Sequence, residues 1–239
     1  MAIKMIARLF QKCLLSPKDL NPSREDLEVI GVFNPGATIV QDEVVLMARV
    51  AERVKERRQG NVALPRWDPE RGVVIDWVSE DELDMLDPRV VQFKNSGLLR
   101  IALLSHLRVF RSRDGKSIDS VDDLRFMPQT NYKEFGVEDP RITRIDDDYY
   151  ITYVSVSRHG AATALASTKD FQTFERHSVI FPPENKDVVL FPEKIYGEYL
   201  ALHRPNPAHH FSPPEIWLAR SRDLIRWGRH EVFQLAISD

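Results

Sequence analysis

Cysteine is nearly absent from this chain of 239 residues. Cys13 stands alone, so no internal disulfide can form, and a reducing cytoplasm is the expected setting. Long apolar runs are missing too. Nothing approaches the length that spans a bilayer, and Lys4, Arg8 and Lys12 interrupt the unbroken apolar core that a signal peptide needs. Neither sign of charge dominates: 33 Lys and Arg oppose 36 Asp and Glu, for a net charge of -3. That balance gives no reason to expect nucleic acid or an anionic membrane as partner. No GxGxxG, Walker A or GxSxG motif occurs, which argues against nucleotide, nicotinamide and α/β-hydrolase chemistry. HExxH is missing as well. His203, His209 and His210 have no cysteine partners and flank Pro205 and Pro207 in a loop, so no metal site is expected.

What is present is an ordinary globular composition, 43% hydrophobic and 29% charged, of a length that suits one large or two modest domains. Residues 1–28 differ from the rest. Ile6, Leu9, Phe10 and Leu14 keep helical spacing until Pro17 and Pro22 break it, which suggests an N-terminal arm or cap. From Val29 onward the signal is β. Tyr149 to Val154 is a run of aromatic and β-branched residues suited to a half-buried strand.

Prolines at 35, 88, 140 and 192 recur at a nearly constant step, and the segments they open are Asn34-Pro35-Gly36-Ala37, Asp87-Pro88-Arg89-Val90, Glu138-Asp139-Pro140-Arg141 and Phe191-Pro192-Glu193-Lys194. In three of them an apolar run, a polar turn and a second apolar run follow, over residues 38–49, 142–154 and 194–204. A second marker recurs as Ser112-Arg113-Asp114, Thr168-Lys169-Asp170 and Ser221-Arg222-Asp223, which reads as the Asp-led turn of an outer hairpin. A repeat of about 50 residues with four strands each is the arithmetic of a β-propeller blade. Four all-β blades are expected over residues 29–239, with Asn34, Asp87, Asp139 and Phe191 on one inner ring. The same step would put a fifth start near position 244, past the last residue, so either four repeats close by themselves or the array is cut short. In the second case exposed strand edges would favour homo-oligomers.

Within that frame Asp139 is a candidate catalytic carboxylate, because the ring places it across from Asn34. Arg49 and Arg204 both end the second apolar run of a repeat, as does the stretch His106-Leu107-Arg108. The planar fork of an arginine suits phosphate or a sugar hydroxyl. Lys186, just ahead of the fourth start, is a further candidate cation; for each of these the plainer reading is a surface ion pair.

Several of these segments, in this order, resemble glycoside hydrolase family 130: residues 33–37, Ala48-Arg49-Val50, Gly136 to Arg141, Leu190 to Lys194, Arg204-Pro205 and Ala219 to Leu224. The resemblance runs from about residue 29 to the C-terminus. It implies a five-bladed propeller and a β-mannoside phosphorylase or β-mannosidase activity. Asp139 would be the single catalytic acid, its proton passing through a hydroxyl of the mannosyl ring. Asn34 and Arg49 would line the mannose pocket. Arg204 would hold inorganic phosphate together with Lys186, where the family usually has arginine. Phosphate would attack the anomeric carbon with inversion to give α-mannose 1-phosphate. No cofactor is implied beyond phosphate as co-substrate, and the partners are a β-mannoside oligosaccharide and that phosphate.

An inverting hydrolase needs a second carboxylate to activate water, whereas a phosphorylase needs cations to hold its nucleophile. Basic residues at 186 and 204 therefore favour phosphorolysis. The alternatives are a β-mannoside hydrolase and a non-catalytic, truncated sugar-binding propeller.

Overall fold

The computed structural model describes residues 11–206 and 213–233. His209 and His210, and the helical spacing at residues 6–10, lie outside them. Among the described residues there is no α-helix, only three single-turn 3-10 segments, one ahead of the first strand and two between strands. The chain begins with a hairpin of β1 (Leu27–Val40) and β2 (Glu43–Val54). Its turn, Gln41-Asp42, takes φ values of 47° and 66°, the left-handed pair that a tight hairpin requires. Five short strands follow: β3 (Asn61–Asp68), β4 (Gly72–Ser79), β5 (Leu83–Asp87), β6 (Val90–Phe93) and β7 (Leu99–Ile101). They pair only among themselves, β3 with β4 and β5-β6-β7 in a row. The chain then returns to the first sheet as β8 (Leu104–Ser112) and β9 (Ser120–Phe126), giving the order β1-β2-β8-β9.

Two uninterrupted four-stranded meanders follow. The first contains β10 (Gly136–Ile145), β11 (Asp148–Ser157), β12 (Gly160–Thr168) and β13 (Glu175–Phe181). The second contains β14 (Asn185–Leu190), β15 (Tyr199–Pro205), β16 (Trp217–Ser221) and β17 (Trp227–Val232). Each of the three sheets is one blade, and the Asp-led marker falls between the third and fourth strands of each. Asp114, Asp170 and Asp223 each accept two backbone N–H groups of their own turn, from Lys116 and Ser117, Gln172 and Thr173, and Ile225 and Arg226.

The all-β propeller architecture stands, but the expectation of four units is corrected to three. Asp87-Pro88 opens no blade. It forms the turn between β5 and β6 inside the insertion, where the Asp87 carboxylate accepts the N–H of Arg89. It is also the one proline start that the apolar hairpin pattern did not follow.

Blades pack face to face. Val45, Met47, Leu107 and Val109 of the first meet Val137, Ile151, Tyr153 and Ala164 of the second. Leu165 and Phe181 of the second meet Val188, Leu190, Ala201 and Ala219 of the third. Alanines on β12 and β15 let the sheets approach closely. The first two blades touch through backbone at one parallel pair, Gly136 with Ser105. Gly136 sits at φ 125°, and a Cβ there would lie 2.7 Å from the Ser105 nitrogen, so only glycine fits this seam. Ahead of β1, Leu20 is buried against Val50 and Phe110, and the Ser23 N–H donates to buried Glu52 at 2.6 Å.

Candidate active site

The inner hairpin of every blade carries the same irregularity. Register breaks between Phe33 and Gly36 on β1, between Glu138 and Arg141 on β10, and between Lys186 and Val189 on β14. At each break one residue is left-handed: Asn34 at φ 50°, Asp139 at 48° and Asp187 at 59°. Asn and Asp are the non-glycine residues that tolerate this region best, at a cost of about 1–2 kcal/mol. A bulge of this kind re-aims the side chains around it, and here it does so at one level of three adjacent blades.

The residue facing each bulge from the second strand is also equivalent. Phe33 pairs with Arg49, Glu138 with Val154 and Lys186 with Arg204. Arg49 and Arg204 thus hold matching positions, as their place in the repeats suggested. Arg49 reaches to the next blade: its Nη2 donates to Glu138 Oε1 at 2.6 Å, and its Nη1 lies 3.5 Å from Asp139 Oδ1. Its Nε donates to Ser105 Oγ at 2.9 Å, and its guanidinium stands 4.9 Å from the Phe33 ring centroid. The pair is largely buried, with 14% of either side chain exposed.

Burial pushes the Glu138 carboxyl above its usual range, and neighbouring Asp139 adds to this, while Arg49, Lys186 and Arg89 oppose it. Lys186 from the third blade and Arg89 from the insertion therefore both act on Glu138. Arg204 donates through Nε to Asp187 Oδ2 at 3.2 Å, with Nη2 on the same oxygen, and through Nη1 to Asn206 Oδ1 at 3.2 Å. Arg141 Nη2 lies 3.6 Å from Asp187 Oδ1.

The structure thus gathers Asn34, Arg49, Asp139, Lys186 and Arg204 on the inner hairpins of three blades. Two ring members expected from the prolines do not belong. Asp87 is in the insertion, and the position equivalent to Asp139 on the third blade is Asp187, not Phe191. Phe191 lies past the end of β14, its N–H bonded to Leu200. Sequence reasoning missed Asp187 because no proline follows it, and it missed Glu138 because its partner comes from another blade. His203 is held by two side chains: its Nδ1 faces Asn185 Nδ2 at 2.9 Å, its Nε2 faces His230 Nδ1 at 3.1 Å, and burial lowers its pKa to about 4. A cleft of 720 Å³ opens between the β6–β7 turn and the β11–β12 turn, lined by Phe93, Leu99, Arg100, Phe135, His159 and Glu184. None of the ring residues lines it.

Chemically, the inner hairpins carry a carboxyl pair on the second blade, whose Glu138 is in electrostatic reach of Lys186 on the third, and Lys186 in turn pairs with Arg204. Such a site suits a proton donor acting next to a bound anion.

Comparison with known proteins agrees with the geometry. The chain is 38% identical over 231 residues to a beta-1,2-mannobiose phosphorylase of Listeria innocua, covering 94% of this chain and 64% of that one. It is 36% identical over 131 residues to a 1,2-beta-oligomannan phosphorylase of Thermoanaerobacter sp., covering 54% of this chain and 42% of the relative. The solved structure of the Listeria innocua enzyme with beta-1,2-mannobiose superposes with a TM-score of 0.85 at 37% identity, over 92% of this chain and 64% of that chain. The chain therefore spans just under two thirds of the length of the Listeria relative. The family model described as beta-1,4-mannooligosaccharide phosphorylase matches residues 102–238, more than half of the sequence. On this identity and coverage, and on the match of the family model, this chain belongs to glycoside hydrolase family 130.

Proposed function

We propose that this chain carries a β-mannoside phosphorylase site, in which inorganic phosphate cleaves a β-linked manno-oligosaccharide with inversion to give α-mannose 1-phosphate. The observation that carries the reading is the pairing of Lys186 with Arg204 across β14 and β15, with Lys186 in electrostatic reach of Glu138. Asp139 gives its proton to the glycosidic oxygen as the bond to the anomeric carbon breaks. A phosphate oxygen held by Lys186 and Arg204 forms the new bond from the opposite face. Asn34 and Arg49 bind the mannose being transferred, Arg49 also steadying both carboxyls. The names of the relatives favour a β-1,2 linkage as the first to try.

Hydrolysis is the weaker reading. Water would need a free carboxylate as base. The other carboxylates described on the ring, Glu138 and Asp187, are each engaged by guanidinium groups. The proposed chemistry is complete with phosphate as co-substrate. Exposed, unpaired Cys13 fits a cytoplasmic setting, and among the described residues no helix is long and apolar enough to cross a membrane.

The test is product analysis of β-1,2-mannobiose incubated with and without phosphate. Phosphorolysis releases mannose 1-phosphate and one mannose only when phosphate is present. Equal release of free mannose in phosphate-free buffer moves the assignment to a hydrolase.

A further inference from the structure

Asp187 shares its backbone setting with Asn34 and Asp139 but has different neighbours. Its Oδ2 accepts from both Nε and Nη2 of Arg204, which comes from the adjacent strand of its own blade. Its Oδ1 faces Nη2 of Arg141, which follows Pro140 on the second blade, at 3.6 Å. One carboxylate therefore holds guanidinium groups from two blades at once. The left-handed bulge is what aims it there, since in a regular strand residues 186 and 187 would point to opposite faces.

All the groups in this cluster are about one-third exposed, so the ion pairs add little to folding. Their effect is on geometry. Unrestrained arginine side chains lose rotamer freedom when they grip an anion, and that loss weakens binding. Here Asn206 fixes Nη1 of Arg204 and Asp187 fixes the rest before any anion arrives.

We propose that Asp187 is a positioning residue for anion binding, one that sets Arg204 and Arg141 in a fixed clamp for the inorganic phosphate that Lys186 also faces. This rests on the phosphorolysis reading above. The proposal makes a choice between two opposed effects. As a negative charge, Asp187 weakens the field of the clamp, so removing it would tighten phosphate binding. As a positioning group it holds the forks in place, so removing it loosens binding. The two Arg204 N–H groups that converge on one Asp187 oxygen favour the second effect, because arginine recognises phosphate through the direction of its fork more than through charge alone.

The experiment measures the Kd of inorganic phosphate for the full chain by calorimetry, for the wild type, Asp187→Asn and Asp187→Gly. Both replacements tolerate the left-handed backbone, so either one that folds gives the comparison. Thermal unfolding reports on the fold. The expected result is a phosphate Kd raised about tenfold in each, with mannose binding changed less than twofold. In an Arg204→Ala background the same replacements should change the phosphate Kd by less than about threefold, since the arginine hydrogen-bonded to Asp187 is gone and Arg141 is left with only the looser 3.6 Å contact. Unchanged or tighter phosphate binding in the single variants would overturn the proposal and leave phosphorolysis standing. So would a tenfold loss that persists without Arg204. A wild-type chain that binds mannose but no phosphate would instead remove the phosphorolysis reading, and the role of Asp187 with it.

Discussion

Arg49 and Arg204 occupy the same position in their blades, each facing the residue that precedes a left-handed bulge, yet they are neutralised from different directions. Arg49 reaches forward to Glu138 and Asp139 on the next blade, while Arg204 turns to Asp187 on its own. The first arginine is thereby committed to the acidic pair. The second stays at the edge of the site beside Lys186, its side chain 31% exposed.

Replacing Asp139 with Asn should leave mannose binding nearly intact and lower turnover of β-1,2-mannobiose by about a hundredfold or more, because the leaving oxygen loses its proton donor. Initial rates of mannose 1-phosphate release, with calorimetric mannose binding as control, separate the two effects. A loss of sugar affinity as large as the loss of rate would contradict the acid role.

Arg49→Met should destabilise the fold by about 3 kcal/mol, because it leaves the buried Glu138 carboxylate without its partner. Urea denaturation at neutral pH measures it. Lowering the pH should restore part of the loss, since Glu138 already has a raised pKa and takes up a proton readily once Arg49 is gone. Equal midpoints for the variant and wild type at neutral pH would show that the pair contributes nothing.

Lys133 gives a pH dependence of the opposite kind. It is 8% exposed, donates to the Tyr153 hydroxyl at 2.8 Å, and burial lowers its pKa from 10.5 to about 8. Between those values the unfolded chain binds the proton more tightly than the folded one. The contribution of this group to stability therefore rises from about pH 8 to pH 10.5, by up to about 3 kcal/mol. Lys133→Met should be more stable than wild type below pH 8, with the gap closing as pH rises. A gap constant across that window would contradict it.

Gly136→Ala should cost more than about 3 kcal/mol or prevent folding. It adds a Cβ 2.7 Å from the Ser105 nitrogen and asks alanine to adopt φ 125°. Thermal unfolding of the purified variant is the measurement, and a midpoint within a few degrees of wild type would show that the blade seam yields.

Much of this was legible in the sequence, and the errors have a common cause. The inner hairpins around Pro35 and Pro140 and the three Asp-led outer turns follow from local chemistry, whereas the third inner hairpin takes β14 (Asn185–Leu190) as its first strand, ahead of Pro192 rather than after it. The proline period was misleading because proline is only a compatible neighbour of the bulge. The bulge itself needs a left-handed residue, which Asn34, Asp139 and Asp187 supply, and the third is followed by Val188. Pro88 fell into step by coincidence, inside an insertion. Arg49 and Arg204 were legible because each closes the second apolar run of its hairpin. The partnership of Arg49 with Glu138 was not, because a contact between blades depends on packing that no local pattern encodes.

The insertion also determines when the first blade can form. In the second blade, β11 and β12 are joined by two residues and can zip together at once. In the first, β2 must wait for β8 across residues 55–103, and closing that span costs about 3 kcal/mol more in chain entropy than closing the short turn. The β3–β4 hairpin and the β5–β6–β7 sheet are themselves local and shorten the span once formed. The order of assembly should therefore run against the order of the chain, with the second and third blades and the insertion forming early. The β2–β8 seam, which brings Ser105 to Arg49, should then close last, so the pocket is completed only in the final step of folding.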